Sequence, residues 1–203
     1  MNMPAAPAAV NPYKAPSSAV VDSQQANALL YVVAPRKFLI LLIGTMGAYA
    51  VYWFYRNWAA INQGKGGAYW PVPRAIFAVF FTHALFNEVD ATLKREGKTF
   101  PWSASGTATL YVVSAVISSL SGRLASGTAM APYMTLVSLA LMAPMFYSLY
   151  RAQLAINAAS GDEGGAGNSE LSFANIAWVV VGALLWLSTL FGMFFLLTGR
   201  IHA

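Results

Sequence analysis

Two stretches of this chain, Leu124 to Tyr150 and Leu171 to Gly199, contain no Asp, Glu, Lys or Arg and are apolar throughout. A helix that is apolar on every side has to be buried, in a large protein core or in lipid. Crossing about 30 Å of hydrocarbon takes about 20 residues at about 1.5 Å each, and both runs are long enough. Phe38 to Tyr55 is a third uncharged run. Its end is crowded with Tyr49, Tyr52, Trp53, Phe54, Tyr55 and, just beyond, Trp58, an aromatic belt of the kind found at headgroup level. Thr99 to Gly122 is uncharged but more polar, and predicts a fourth spanning helix near 107–122.

Composition agrees with a membrane protein. Hydrophobic residues make up 58% of the chain and charged residues only 9%, against about 25% charged in a soluble domain. The net charge of +5 comes from scattered Lys and Arg, with no basic patch interleaved with aromatics. The charge therefore reads as membrane-flanking, with no nucleic acid as partner. The absence of cysteine rules out disulfides, thiolate metal sites and cysteine nucleophiles. The first apolar run opens only at Phe38 and no small-residue cleavage site precedes it, so it is expected to stay as an anchor.

The segment from Arg74 to Arg95 is harder to place. Between Arg74 and Glu88 the uncharged interval is short for a crossing, while His83, Asn87, Asp90 and Lys94 form one polar stripe at helical spacing. An amphipathic helix at the interface, or one dipping part-way in, is the favoured expectation. A crossing rescued by snorkelling of Arg74 is the alternative. The expected fold is thus an all-α, polytopic membrane helical bundle of four transmembrane helices and one interfacial helix, or else five transmembrane helices. Residues 1–35 form a Pro/Ala-rich tail and membrane approach, expected to be disordered at least over 1–20, and 36–203 the helical membrane domain. With four spans, Arg56, Lys65, Arg74, Lys94, Arg95, Lys98 and Arg151 fall on one side and Lys14, Arg36, Lys37, Arg123 and Arg200 on the other. Five spans divide the cations as evenly, so the positive-inside rule does not fix the orientation.

The chain also writes one helix ending twice. Ala48, Tyr52, Tyr55, Arg56, Ala60, Ile61 and Asn62 recur as Ala143, Tyr147, Tyr150, Arg151, Ala155, Ile156 and Asn157. In both copies the tyrosines and asparagine share a helix face, and the ending is expected to run on for about two turns into water beyond the bilayer. Anchoring at the interface is the plain reading of such residues. The sharper reading is a pair of sites in which Tyr52, Tyr55, Arg56, Asn62 and their counterparts Tyr147, Tyr150, Arg151 and Asn157 bind a lipid headgroup, an anionic solute or a partner, with Arg74 anchoring the interfacial helix. Under five spans the copies would form an inverted repeat, as in many transporters.

Other features carry less. Gly44 with Ala48, and Ser114 with Ser118 and Gly122, have the spacing that lets membrane helices approach closely, within the chain or in a homo-oligomer. Pro144 is expected to kink its helix. His83, near Asn87, Glu88 and Asp90, is a weak candidate for a proton relay or metal site. Asp162 and Glu163 sit in a Gly-rich connector without the spacing of a calcium loop. No Walker loop, HExxH or GxSxG is present, so no catalytic residue, metal or cofactor is expected.

At "YVVAPRKFLILLIGTMGAYAVYWFYRNW" and "WPVPRAIFAVFFTHALF" the chain resembles a group of uncharacterised bacterial inner-membrane proteins. They share the Arg-Lys-Phe start seen at Arg36 to Phe38, the Tyr/Trp-rich helix exit at Tyr52 to Trp58, and the Pro-Arg-Ala-Ile-Phe helix at Pro73 to Phe77. The shorter Tyr-Trp-x-Tyr exit is also similar to a broader bacterial family of domains of unknown function. The likeness covers about residues 31–90 and implies a bacterial inner (cytoplasmic) membrane location, but no activity. The function expected from all this is a non-catalytic, multi-pass membrane protein, an accessory or scaffold component that binds membrane lipids or a membrane protein partner. A small transporter or channel on an inverted repeat is the alternative.

Overall fold

The computed structural model describes residues 30–125 and 130–198. The tail through residue 29, with Lys14, and the C-terminal Arg200 and His202 lie outside them. Among the described residues every regular element is helical: α1 (Pro35–Gly44), α2 (Tyr49–Gly64), α3 (Pro71–Ile76), α4 (Ala78–Arg95), α5 (Ala104–Ala125), α6 (Ala131–Ser160), a short 3-10 turn (Ala166–Asn168) and α7 (Phe173–Leu197). Three of these, over Ala104–Leu124, Ala131–Ser160 and Phe173–Phe195, are long and apolar enough to cross a membrane.

The expected first crossing, Phe38 to Tyr55, is not one helix. It breaks at Thr45–Ala48, where Met46 (φ 53°) and Gly47 (φ 87°) adopt left-handed backbone. Thr45 seals both sides of the break: its Oγ1 donates to the Leu41 carbonyl (2.7 Å) and accepts from the Tyr49 N–H (2.9 Å). The chain then turns back on itself. A continuous helix would hold Phe38 and Trp53 about 22 Å apart, yet their rings are 5.9 Å apart. The Tyr31 N–H likewise reaches Asn57 Oδ1 at 3.1 Å. α1 and α2 are therefore a helical hairpin, with α1 only about 15 Å long.

Residues 71–95 repeat this shape. Pro71 and Pro73 open α3, where a missing N–H costs nothing, and the backbone leaves the helix at Phe77 before α4 begins. α3 descends beside α2 and α4 returns beside α5, where His83 meets Thr109 (3.1 Å) and Phe86 packs on Trp102. The last turns of α4 carry Asp90 and Lys94, paired at 2.7 Å. At its end Lys98 Nζ donates to the Ala159 carbonyl (2.8 Å). So Lys65, Lys98 and Ser160 stand at one end of the bundle, called here the charged end, while Arg123 lies at the opposite end of α5.

The long helices complete the bundle. α5 and α6 pack antiparallel, and α6 continues through Pro144. α7 starts beside Lys37, whose Nζ donates to Asn168 Oδ1 (2.7 Å) and the Glu170 carbonyl (2.6 Å). It then follows α1 downward. Gly182 lies against Gly44, where a Cβ would overlap the Gly44 carbonyl, and Trp186 Nε1 donates to the Ile43 carbonyl (2.8 Å), which also accepts from the Met46 N–H (3.0 Å). The small-residue pattern at Gly44 thus serves packing within the chain.

The core is concentrated near the charged end. Trp53, Phe54, Trp58, Phe86, Leu149 and Ile156 are almost wholly buried there. Of the aromatic belt read from the sequence, Trp53, Phe54, Trp58 and Tyr49 are core residues, and Tyr52 and Tyr55 are exposed.

Candidate functional site

The two copies of the repeated ending lie side by side and run parallel. Gly47 at the start of α2 approaches Phe146, and further along Trp53 Nε1 donates to Gln153 Oε1 at 2.5 Å. Both copies end at the charged end, so the repeat is not inverted. Nor do the endings run free into water: Asn57, Ser148, Gln153 and Asn157 are fully buried. Asn57, Gln153 and Asn157 bury against the segment Leu30–Ala34, an extended strap laid between the two helix ends. Asn157 Nδ2 donates to the Val33 carbonyl (2.9 Å), and its Oδ1 accepts from Gln153 Nε2 (2.7 Å) and the Val33 N–H (3.4 Å). Gln153 Nε2 also reaches the Tyr31 carbonyl (3.2 Å). A buried strap without a sheet needs such partners for its backbone groups.

The repeated asparagines do matching work. Each lies inside a helix C-terminus closed by a left-handed glycine, Gly66 or Gly161. In each the carbonyl accepts from the amide five residues on: Asn62 from Gly67 (2.9 Å) and Asn157 from Asp162 (3.1 Å), the longer bond of a Schellman ending. The side chains then reach into the following loop, Asn62 Oδ1 accepting from the Tyr69 N–H (2.7 Å) and Asn157 Nδ2 donating to the Glu163 carbonyl (3.3 Å). The repeat is, in this part, a repeated way to end a helix and fold back the chain.

The arginines separate into different environments. Arg151 donates to the Pro101 carbonyl and lies over the Phe100 ring at 4.9 Å, pinning the α4–α5 connection. Arg74 sits among three aromatic rings, 4.3 Å from Trp58, 4.1 Å from Tyr69 and 5.0 Å from Phe81. This is a cation–π box worth about 0.5–2 kcal/mol per contact depending on desolvation. Arg56 is exposed. It lies over Tyr31 at 4.5 Å and donates to the Tyr52 hydroxyl at 2.8 Å. Tyr147 is exposed, and Tyr150 packs against the core.

His83 contacts Thr109, while Glu88 binds Lys65 (2.5 Å) and Asp90 binds Lys94. Those carboxylates face away from the histidine. Among the described residues no three His, Cys, Asp or Glu side chains converge as metal ligands would.

Two clefts remain. The larger, about 740 Å³, lies beneath the hairpin turns at Met46 and Phe77, walled by Tyr111 on α5, Thr135, Ser138 and Met142 on α6 and Thr189 on α7. It exists because α1 to α4 stop short and only the three long helices continue. The second, about 580 Å³, is a groove between α2, α3 and the start of α7, running from Tyr52, Tyr55, Ser172 and Asn175 down to Thr45, Ala48 and Ile76. The strap, the polar clamp and both clefts escaped the sequence reading. The Gly-Thr-Met-Gly stretch at 44–47 was the signal for the turn. Compared with protein-family models, curated proteins and solved structures, the chain matches none.

Proposed function

We propose that this chain is a non-catalytic, multi-pass protein of the bacterial inner membrane that binds lipid at one leaflet, as an accessory or scaffold component. In this reading α5, α6 and α7 cross the bilayer, and the hairpins α1–α2 and α3–α4 enter from the charged end and turn back at mid-depth. Irregular backbone at that depth is tolerated where protein surrounds it, as α7 and α6 surround Thr45–Ala48.

One observation carries the reading: the charge is segregated. Arg36, Lys37, Arg56, Lys65, Arg74, Lys94, Arg95, Lys98 and Arg151 belong to the charged end, and among the described residues Arg123 is alone at the other. The even division expected for four or five spans disappears once Phe38–Tyr55 is a hairpin, because Arg36 and Lys37 join the remaining cations. By the positive-inside rule this end is cytoplasmic. A cationic face of this kind attracts anionic lipid, and the clefts beside it offer apolar walls for chains. The parallel course of the two endings supports this reading over a transporter built on an inverted repeat.

Single cysteines at Lys65, Lys98, Ser160 and Arg123 test the placement, since no native cysteine interferes. In intact cells an impermeant thiol reagent should label only Arg123→Cys; labelling of Lys65→Cys without Lys98→Cys would sink it. Lipid binding is tested separately, by phospholipid retained through detergent purification. A protein that emerges lipid-free and takes up none on titration ends the binding reading.

A further inference from the structure

We propose that the groove between α2, α3 and the start of α7 holds one anionic phospholipid of the charged-end leaflet, its phosphate beside Arg56 and one acyl chain passing Ala48 into the cleft beneath the hairpins. This rests on the lipid-binding reading above and names its site.

The groove grades in polarity along its length as an amphiphile does. Its mouth carries polar side chains: the exposed Tyr52 and Tyr55 on α2, the exposed Ser172 just before α7 and the half-buried Asn175 in the first turn of α7. Its floor, at Ala48 and Ile76, is also a wall of the larger cleft. The two spaces therefore adjoin at these residues, midway between the charged end and the space beneath the turns.

The mouth is also complementary to a negative headgroup. Arg56 stands behind Tyr52 and uses one guanidinium N–H on that hydroxyl. Among the described residues no carboxylate lies within ion-pair distance of it. Its ring contacts with Tyr31 and Tyr52 hold the guanidinium in place without neutralising it. Across the groove is the N-terminus of α7, a 25-residue helix, where Ser172 and Asn175 bond each other's backbone amides (3.3 and 3.1 Å). Its dipole favours an anion on the same side. Arg74 and Arg151 are half-buried against aromatic rings and, for Arg151, a backbone carbonyl, so of the three candidate arginines Arg56 is the exposed one.

The test is native mass spectrometry of the full chain in detergent, titrated with dioleoyl phosphatidylglycerol and, separately, dioleoyl phosphatidylcholine. Wild type should take its first phosphatidylglycerol about fivefold more tightly than phosphatidylcholine. Arg56→Gln should bring the two lipids level. Ala48→Phe and Val72→Phe, at exposed positions, should weaken both lipids alike by narrowing the groove; two variants guard against one misfolding, which helical circular dichroism reveals. Binding that ignores all three substitutions overturns this site and leaves the general lipid-binding reading standing. Wild type that binds neither lipid removes both. A dimer in light scattering that Ala48→Phe dissociates assigns the groove to a second copy and also overturns the proposal.

Discussion

Asn57 and Asn157 hold the same five-residue strap from two helices: Asn57 Oδ1 accepts the Tyr31 N–H at 3.1 Å, and Asn157 Nδ2 donates to the Val33 carbonyl at 2.9 Å. The strap's other backbone bonds include those of Gln153 to the Tyr31 carbonyl and of Asn168 to the Val32 carbonyl and the Ala34 N–H. Asn157→Ala removes the larger share, leaving the Val33 carbonyl and Gln153 Nε2 short of partners in a buried site. A loss of about 1–3 kcal/mol is expected, read as a lowered Tm in detergent. Asn57→Ala should cost less, since its other bond only returns to the Trp53 carbonyl.

The hairpin turn depends on α7. A Cβ at Gly182 would meet the Gly44 carbonyl and the Thr45 Cα, backbone atoms that cannot step aside. Gly182→Ala should therefore lower Tm by several degrees and push α7 away from α1. Gly192 has open space around it, and Gly192→Ala should leave Tm unchanged or raise it, because alanine is the better helix former by about 1 kcal/mol. Equal effects of the two substitutions would mean that the α1–α7 contact is not formed.

Arg56 and Arg151 occupy matching positions in the repeat but should respond differently. Arg151→Gln frees the Pro101 carbonyl and the Phe100 ring, so it should destabilise the α4–α5 connection by about 1 kcal/mol and speed proteolysis there. Arg56→Gln, at an exposed position, should leave Tm near wild type and act on lipid preference instead. A matching Tm loss in both variants would contradict this division.

How much of this was legible can be seen from particular residues. α5, α6 and α7 followed from uncharged runs, because lipid-crossing length is a property of sequence alone. The hairpin did not. Phe38–Tyr55 has the length and apolarity of a crossing, and the backbone reversal at Met46–Gly47 is decided by what α7 and Phe146 place around it. The repeat was visible, and Asn62 and Asn157 do share a role, but that role is structural and points inward. Trp53 and Gln153 form a buried pair across 100 residues, which no local pattern announces. Tyr52, Tyr55 and Arg56 kept the surface position expected of them.

Two lysines at the charged end should leave opposite marks on alkaline stability. Burial lowers the pKa of Lys37 below the ordinary lysine value. Between its folded value and about 10.4 the unfolded chain therefore binds more protons, and stability rises with pH across that window. For Lys65 the hydrogen bond from its ammonium to Glu88 raises the pKa. Its contribution is fully present below the ordinary lysine value and is lost as pH climbs through the raised one. Thermal unfolding of wild type from about pH 8 to about pH 11 should thus show a gain followed by a loss. Lys37→Met should abolish the gain and keep the loss, while Glu88→Gln should keep the gain and lessen the loss. If Lys37→Met left the gain intact, the amine would not be held protonated against its burial by Asn168 Oδ1 and the Glu170 carbonyl, and the junction between strap, α1 and α7 would have to be drawn differently.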